Sequence, residues 1–330
     1  MHNIIKIISL GLNDDDHRIT ADFRGAVVAM GNFDGVHLGH RSLIETARKW
    51  AQDKGTKLAV LTFEPHPRRV FRPDDPPFRL TPRAAKYEVL STLGVDIVFE
   101  VAFDWALSAL IYQDFIARII APIAPSVILA GEDFHFGHNR SGTLTHVREH
   151  GYHCESVKLM TDPQHGVISS TRVRGLIQSG HCAEAYQLLG WDWFISGQVQ
   201  KGDQRGREMG YPTANVALGE YLHPAYGVYD TIVRIEGYDQ PFKAATNIGI
   251  RPMFELPTAL IEAHILDFSG DLYGKTIKIF PQRKIRDEMR FNSLADLITQ
   301  IELDCEAVRV HTPENSIPKA VAPTRSLSGD

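Results

Sequence analysis

The sequence predicts two domains of different texture: an α/β domain built on a parallel sheet, then a small antiparallel β-barrel closed by one helix. Two observations carry this. From about residue 25 to 190, short β-branched runs ("AVVAM", "KLAVLTF", "VDIVFEV", "SVILAG") alternate with helical patterns such as "PRAAKYEVLSTLG" and "YQDFIARIIAPI". Strands separated by helices need crossover connections, which give a parallel sheet with helices on both faces. After "AEAYQLLGWDW" the runs "WFISGQVQ", "GVYDTIVRIEG", "FKAATNIGI", "ALIEAHILDF" and "KTIKIFPQ" follow one another with turn residues between them and no helix. That is the pattern of an antiparallel barrel.

In chain order, "AVVAM" runs into a glycine-rich turn, Gly31 to Gly39, and then into a helix with the apolar stripe Leu43, Ile44, Ala47, Trp50 and Ala51. The barrel ends in a helix that starts at Ser293, with Asp296 three residues on in capping-box fashion. Its apolar face is expected to comprise Leu294, Leu297, Ile298, Ile301 and Cys305. The domains are expected over residues 1–190 and 191–310, each long enough for its own core, with residues 311–330 a disordered tail.

Composition narrows the function. A formal net charge of -5 provides no global positive field for nucleic acid, so any phosphate must be held by specific loops. No apolar run reaches the length of a membrane span, and the N-terminal apolar patch is soon interrupted by three aspartates, so no membrane partner is expected. The three cysteines, Cys154, Cys182 and Cys305, have no C-x-x-C spacing and read as reduced, structural thiols of a cytoplasmic protein.

The stretch "GNFDGVHLGH" places His37 and His40 one turn apart at the start of a helix, so both rings can point the same way. Free backbone N–H groups and the helix dipole favour an anion there, and glycines at 31, 35 and 39 let a ligand approach the backbone. The pattern is that of a phosphate site with two imidazole donors added; the plain structural alternative is a pair of surface histidines. Ser169, Ser170 and Thr171 form a cap-like run ahead of a second helix, with Arg174 on it, and suit a phosphate or simply a cap. His135, His138, His146, His150, His153 and Cys154 crowd together, with His146 and His150 at a spacing open to zinc. The absence of H-E-x-x-H and of a cysteine pair argues against a metal there.

In the second domain, "GQVQKGDQRGREMGYPTANV" combines Gly202 and Gly206 with Lys201 and Arg205, a flexible cationic flap over phosphates. Thr213 and Asn215 face one side of an extended chain and offer two neutral oxygens to Mg2+ bridging ATP phosphates. Glu262 projects from the face opposite the apolar Ile261, Ala263 and Ile265, as a solvated strand glutamate or a carboxylate turned to a ligand.

Several motifs together give the chain a resemblance to the bacterial bifunctional riboflavin kinase and FAD synthetase family. "GNFDGVHLGH", "TFEPHP" (62–67), "GEDFHFG" (131–137) and "ISSTRVR" (168–174) resemble, in order, the adenylyltransferase signatures of a Rossmann-like nucleotidyltransferase domain. "GYPTANV", "NIGIRP" (247–252) and "RDEMRF" (286–291) resemble the riboflavin kinase module. The resemblance implies ATP, riboflavin and FMN as ligands and Mg2+ as cofactor. It puts Gly31, Asn32, Phe33, Asp34, Gly35, Gly39, Ser169, Ser170, Thr171 and Arg174 at the first nucleotide and Gly202, Gly206 and Pro212 at the second. Pro65, His66, Pro67 and Asp133 would line the flavin side, His37, His40 and Glu262 would be catalytic, and Thr213 and Asn215 would hold the metal. One departure is Met253, where the family usually has threonine after "RP". It motivates a rival reading in which only the FAD synthetase half is active and the barrel binds flavin; a flavin sensor without activity is a further alternative.

Overall fold

The computed structural model describes residues 5–12, 19–163, 166–202, 205–251 and 258–311. Met253 and residues 312–330 of the expected tail lie outside them. The chain forms two compact units: residues 1–76 with 81–169, and residues 77–80 with 170–330.

The first unit is a six-stranded parallel sheet in the order β1-β4-β3-β2-β5-β6. Its elements run β1 (Lys6–Leu10), β2 (Val27–Met30), α1 (Leu38–Lys54), β3 (Leu58–Glu64), α2 (Pro67–Phe71), α3 (Arg83–Thr92) and β4 (Ile97–Ala102). There follow α4 (Trp105–Ser108), α5 (Tyr112–Phe115), a π turn at Ile116–Ile120, α6 (Ala121–Ile123), β5 (Val127–Gly131), α7 (Leu144–Glu149) and β6 (Cys154–Val157). The apolar N-terminal patch thus supplies an edge strand, paired with β4. A short hairpin, β7 (Thr161–Asp162) with β8 (Gly166–Val167), stands apart from the sheet. The central strands are buried along their length, as unbroken apolar runs between two helical layers should be. Val27 pairs with Leu58 on one side and Val127 on the other, so the strand order reverses at β2. The carboxyl ends of β2 and β5 therefore flank the switch point, where such sheets bind ligands.

The second unit opens with α8 (Ser170–Gln178) and α9 (Cys182–Leu189). Its remaining elements are β9 (Ile195–Gln198), α10 (Arg205–Glu208), β10 (Ala214–Ala217), β11 (Gly227–Ile235), β12 (Phe242–Arg251), β13 (Thr258–Ile265), β14 (Thr276–Arg286) and α11 (Leu294–Val310). The strands pair antiparallel in the order β10-β13-β12-β11-β14-β9, and a bridge between Gln200 and Asn215 draws the two edges together into a nearly closed barrel. Inward positions such as Ile248, Ile261, Ala263, Ile277 and Ile279 are all fully buried. Residues 77–80 belong to this unit. Arg79 bridges to Tyr221, Leu222 N–H donates to the Arg79 carbonyl at 2.7 Å, and Trp193 Nε1 donates to the Leu80 carbonyl at 2.6 Å.

Ser293 caps α11 as expected, its Oγ accepting from Asp296 N–H at 3.1 Å. The predicted apolar face is only partly used. Cys305 and Val308 pack on Ala245 and Leu266, with Ile301 alongside, whereas Leu294 is 61% exposed. The anchors explain the difference, because they all sit in the last turns: Arg286 grips Asp304 (2.7 and 2.9 Å), and Lys243 Nζ donates to the carbonyls of Val308, Arg309 and His311.

Candidate active sites

The turn after β2 is shaped by interior bonds. Gly31 N–H donates to the Leu61 carbonyl, Gly35 N–H donates to Thr81 Oγ1 at 2.8 Å, and Asp34 Oδ1 accepts from Thr81 N–H at 3.0 Å. Phe33 and Asp34 bury their side chains, so what they offer a ligand is backbone. Phe33, Val36 and Gly35 all have positive φ, and for a β-branched valine (φ 39) that is a strained conformation of the kind found at functional sites.

His37 is the N-cap of α1, its Nδ1 accepting from His40 N–H at 3.4 Å. A ring nitrogen that accepts carries no proton, so Nε2 of His37 is the donor. The His37 and His40 rings stack with centroids 3.7 Å apart, and a Cβ at Gly39 would come within 3.2 Å of the His37 ring. Glycine at that position keeps the stack possible. His40 Nδ1 is buried with no hydrogen-bond partner. Burial, the neighbouring His37 and the Lys86 charge hold the His40 pKa well below its ordinary value, with Asp34 opposing them. Two imidazoles at a helix N-terminus, one with an unspent nitrogen, form a ready anion site.

On the neighbouring strand end, His66 caps α2 through Nδ1, which accepts from Arg68 N–H at 3.1 Å, with Pro67 as the first helical residue. Beyond it lies an aromatic group that sequence reading missed: Phe71 meets Phe103 and Trp105 edge-on at 5.5 Å, with Phe71 50% and Trp105 64% exposed. Large aromatics at the ends of two short helices, Phe71 closing α2 and Trp105 opening α4 beside a binding motif, were the available signal. Lys86 was missed as well; it is fully buried against Glu64 and Thr62, although a lysine on a helix reads as solvated. Asp133 follows β5, its Oδ1 lying 2.9 Å from where a Gly131 Cβ would stand.

"ISSTRVR" straddles the division of the chain: Ser169 ends the first unit, and Ser170 and Thr171 open α8 of the second. Arg174 donates from Nε to the Phe78 carbonyl at 2.9 Å and lies over the Phe78 ring. A role for these residues at departing phosphates rests on the motif alone. The crowded histidines have structural work. His146 Nδ1 takes the Thr143 N–H in a capping box and its ring stacks on Tyr112, His150 Nδ1 bonds the His146 carbonyl, and His153 meets Glu155. Among the described residues no three His, Cys, Asp or Glu side chains gather as a metal would need.

In the barrel, register builds the second site. Glu262 of β13 lies across from Asn215 of β10 on one side and Asn247 of β12 on the other, so three polar residues form one row. Asn215 is 6% exposed; its Nδ2 donates to the Thr213 carbonyl at 3.2 Å, and its Oδ1 is buried with no hydrogen-bond partner. Thr213 sits on the same edge. An orphaned buried amide oxygen suits a hard, oxygen-seeking divalent cation. A Cβ at Gly202 would lie 2.6 Å from Asn215 Nδ2, and one at Gly206 would lie 2.4 Å from the Tyr211 carbonyl, so both glycines let the flap close against this edge. Pro212 holds His264, whose Nδ1–H donates to the Pro212 carbonyl at 2.9 Å. Glu288 of "RDEMRF" lies against Gly249, where a Cβ would sit 2.0 Å from Oε1, and adds a second carboxylate near Asn247.

Comparison with known proteins also divides the chain in two. The FAD synthetase family model matches residues 19–172 and the riboflavin kinase model matches residues 189–312. A bifunctional riboflavin kinase/FMN adenylyltransferase of Escherichia coli K12 is 38% identical over 284 residues, covering 85% of this chain and 90% of its own. One of Bacillus subtilis 168 is 37% identical over 304 residues, covering 89% and 95%. A solved structure described as a macrolide-efflux protein from Streptococcus pneumoniae is 31% identical with a TM-score of 0.82, over 92% of this chain and 99% of that one. No helix among the described residues is long and apolar enough to cross a membrane. With both halves matched, over 90% and 95% of the length of these two relatives, the chain belongs to the bifunctional riboflavin kinase/FMN adenylyltransferase family.

Proposed function

We propose that the chain runs two successive reactions at two separate sites: riboflavin is phosphorylated to FMN on the barrel, and FMN is adenylylated to FAD at the β2–α1 turn. The observation that carries the second step is the His37–His40 stack with its unspent Nδ1 at the switch point of the sheet. An oxygen of the FMN phosphate attacks the α-phosphorus of ATP, the bond to the β-phosphate oxygen breaks, and pyrophosphate leaves. The nucleophile is already an anion, so the protein has only to position and to stabilise charge. Nε2–H of His37 and the helix N-terminus serve the crowded phosphate. The exposed Phe71 and Trp105, with the Pro65–His66–Pro67 turn, offer the flavin ring an aromatic platform.

The kinase step differs because its nucleophile is a neutral ribityl hydroxyl. Its oxygen attacks the γ-phosphorus of ATP, ADP leaves, and the hydroxyl proton passes to Glu262, which stands in the row between Asn215 and Asn247. Thr213 and Asn215 would hold Mg2+, which supplies charge neutralisation for the transferring phosphates. With both domains present, the readings that leave one half inactive or the whole chain a sensor have no support. The cytoplasmic setting fits the cysteines: all three are free and buried, and burial pushes the thiols of Cys154 and Cys305 up to about 11 and that of Cys182 to about 12.

The test is incubation of the pure protein with riboflavin, ATP and Mg2+, followed by chromatography of the flavins. FMN should appear first and FAD after it, with pyrophosphate. Riboflavin left unchanged would overturn the kinase assignment, and FMN that accumulates without FAD would overturn the second.

A further inference from the structure

Beneath the histidine turn lies a buried cation with no part in either reaction as written. Lys86 is 0% exposed and reaches from α3 to the carboxyl end of β3, where Nζ meets Glu64 Oε1 at 2.7 Å and Thr62 Oγ1 at 3.0 Å. An ammonium donating to Thr62 Oγ1 leaves that hydroxyl to donate onward, and it does so to the Asn32 carbonyl at 3.1 Å. The relay Glu64, Lys86, Thr62, Asn32 therefore joins two segments of the site. One is the strand end that leads into Pro65, His66 and Pro67; the other is the turn that leads to His37 and His40.

Packing does not call for this lysine. The other buried carboxylate beside α3, Glu100, is already taken by Arg83 (2.5 and 3.1 Å) and by the Tyr87 hydroxyl. A buried ion pair is a poor way to stabilise a core, since apolar side chains of the same volume do as well or better. What it does supply is directional: an ammonium has three donors, and two of them here fix the neighbouring oxygens in place.

We propose that Lys86 is a positioning residue for adenylyl transfer, holding the Asn32 peptide through Thr62 and so keeping the histidine turn in register with the flavin-side end of β3. It touches no substrate. The geometry it enforces is that of in-line attack, in which a displacement of about 1 Å costs on the order of a hundredfold in rate. This rests on the reading of residues 31–40 as the adenylyl-transfer site.

The experiment uses the full chain with Thr62→Val, Thr62→Ser and Lys86→Met. Valine keeps the shape of threonine and removes the hydroxyl; serine keeps the hydroxyl. Thr62→Val should lower kcat for FAD formation from FMN and Mg-ATP by about tenfold or more, with the KM for FMN little changed and riboflavin phosphorylation by the same protein intact. Thr62→Ser should restore kcat, and Lys86→Met should reproduce the loss. Normal FAD synthesis in Thr62→Val, equal damage in the serine variant, or parallel loss of both activities would each overturn the proposal. His40→Ala in parallel separates the two ideas. Full FAD synthesis there overturns the site itself, while loss in His40→Ala with none in Thr62→Val overturns only the relay.

Discussion

The imidazole rings of His37 and His40 lie face to face, 3.7 Å between centroids and 19° from parallel. Two imidazolium ions cannot share that arrangement without strong repulsion, and burial, His37 and Lys86 together hold the His40 pKa well below 6.5 against the pull of Asp34. In the window below 6.5 the unfolded chain then binds more protons than the folded one, so stability rises with pH there. The His40 contribution is fully present above 6.5 and is lost as the pH falls through the folded value. Thermal denaturation across a pH series should show an acid-side loss that is shallower in His40→Gln than in the unmodified protein. The same variant should lose about a hundredfold in FAD formation while FMN formation stays near normal.

Asn215 presents a buried oxygen with nothing to bond, and Gly202 is the space in front of it. Asn215→Ala should block phosphorylation of riboflavin, with partial rescue by higher Mg2+, and leave FAD synthesis from supplied FMN. Gly202→Ala tests the same site from the other side. Its methyl group would stand 2.6 Å from Asn215 Nδ2, so the amide must turn away and the metal dependence of the kinase should shift to higher concentration. A Gly202→Ala protein with unaltered Mg2+ dependence would remove Asn215 from the metal site.

Glu262→Gln keeps the size of the side chain and removes its proton affinity. Riboflavin phosphorylation should fall by about a hundredfold or more, with no rescue by Mg2+. His264 is the rival base. Its Nδ1–H is committed to the Pro212 carbonyl, so only Nε2 could act. Kinase activity that survives Glu262→Gln and disappears in His264→Gln would transfer the role.

Periodicity made the two architectures legible, because the alternation of strands and helices up to α9 and the succession of strands after it reflect burial on two faces and on one; the single turn of α10, which the sequence reading did not expect there, interrupts that succession. The histidine turn was legible because its chemistry is local: two rings one turn apart, with glycines at the close approaches. What stayed hidden was set by partners distant in sequence. Lys86 reads as a solvated helix residue until Glu64, twenty-two positions earlier, is seen to meet it. Leu294 fits the apolar stripe of α11, yet Asp304 and Lys243 anchor the other end of that helix and leave Leu294 in water. Residues 77–80 lie in a stretch of prolines and arginines with no period, and nothing local assigns them to the second unit.

The last prediction concerns where the kinase begins. Residues 191–310 contain Thr213, Asn215 and Glu262, and the sequence marks them as a domain. In the structure α8 and α9 pack with the barrel: Cys182, Ala185, Leu188 and Leu189 are all buried, α9 lies on β14, and the Ala225 N–H donates to the Ile177 carbonyl at 3.2 Å. The Tyr186 hydroxyl shares its one proton between the carbonyls of Trp193, at 3.0 Å, and Pro281. A fragment starting at Trp191 loses these contacts and opens the apolar surface beneath them, at a cost of roughly 2 kcal/mol for each large aliphatic side chain involved. A fragment over residues 170–311 keeps α8 and α9 and loses the bonds that Leu222 N–H, Trp193 Nε1 and Arg174 Nε make to residues 78–80, so it should show a cooperative thermal transition and make FMN from riboflavin and Mg-ATP, with no adenylyltransferase activity. One over residues 191–311 should melt at a distinctly lower temperature and make FMN only where it is still folded. Equal melting temperatures for the two would show that α8 and α9 are carried by the barrel without supporting it.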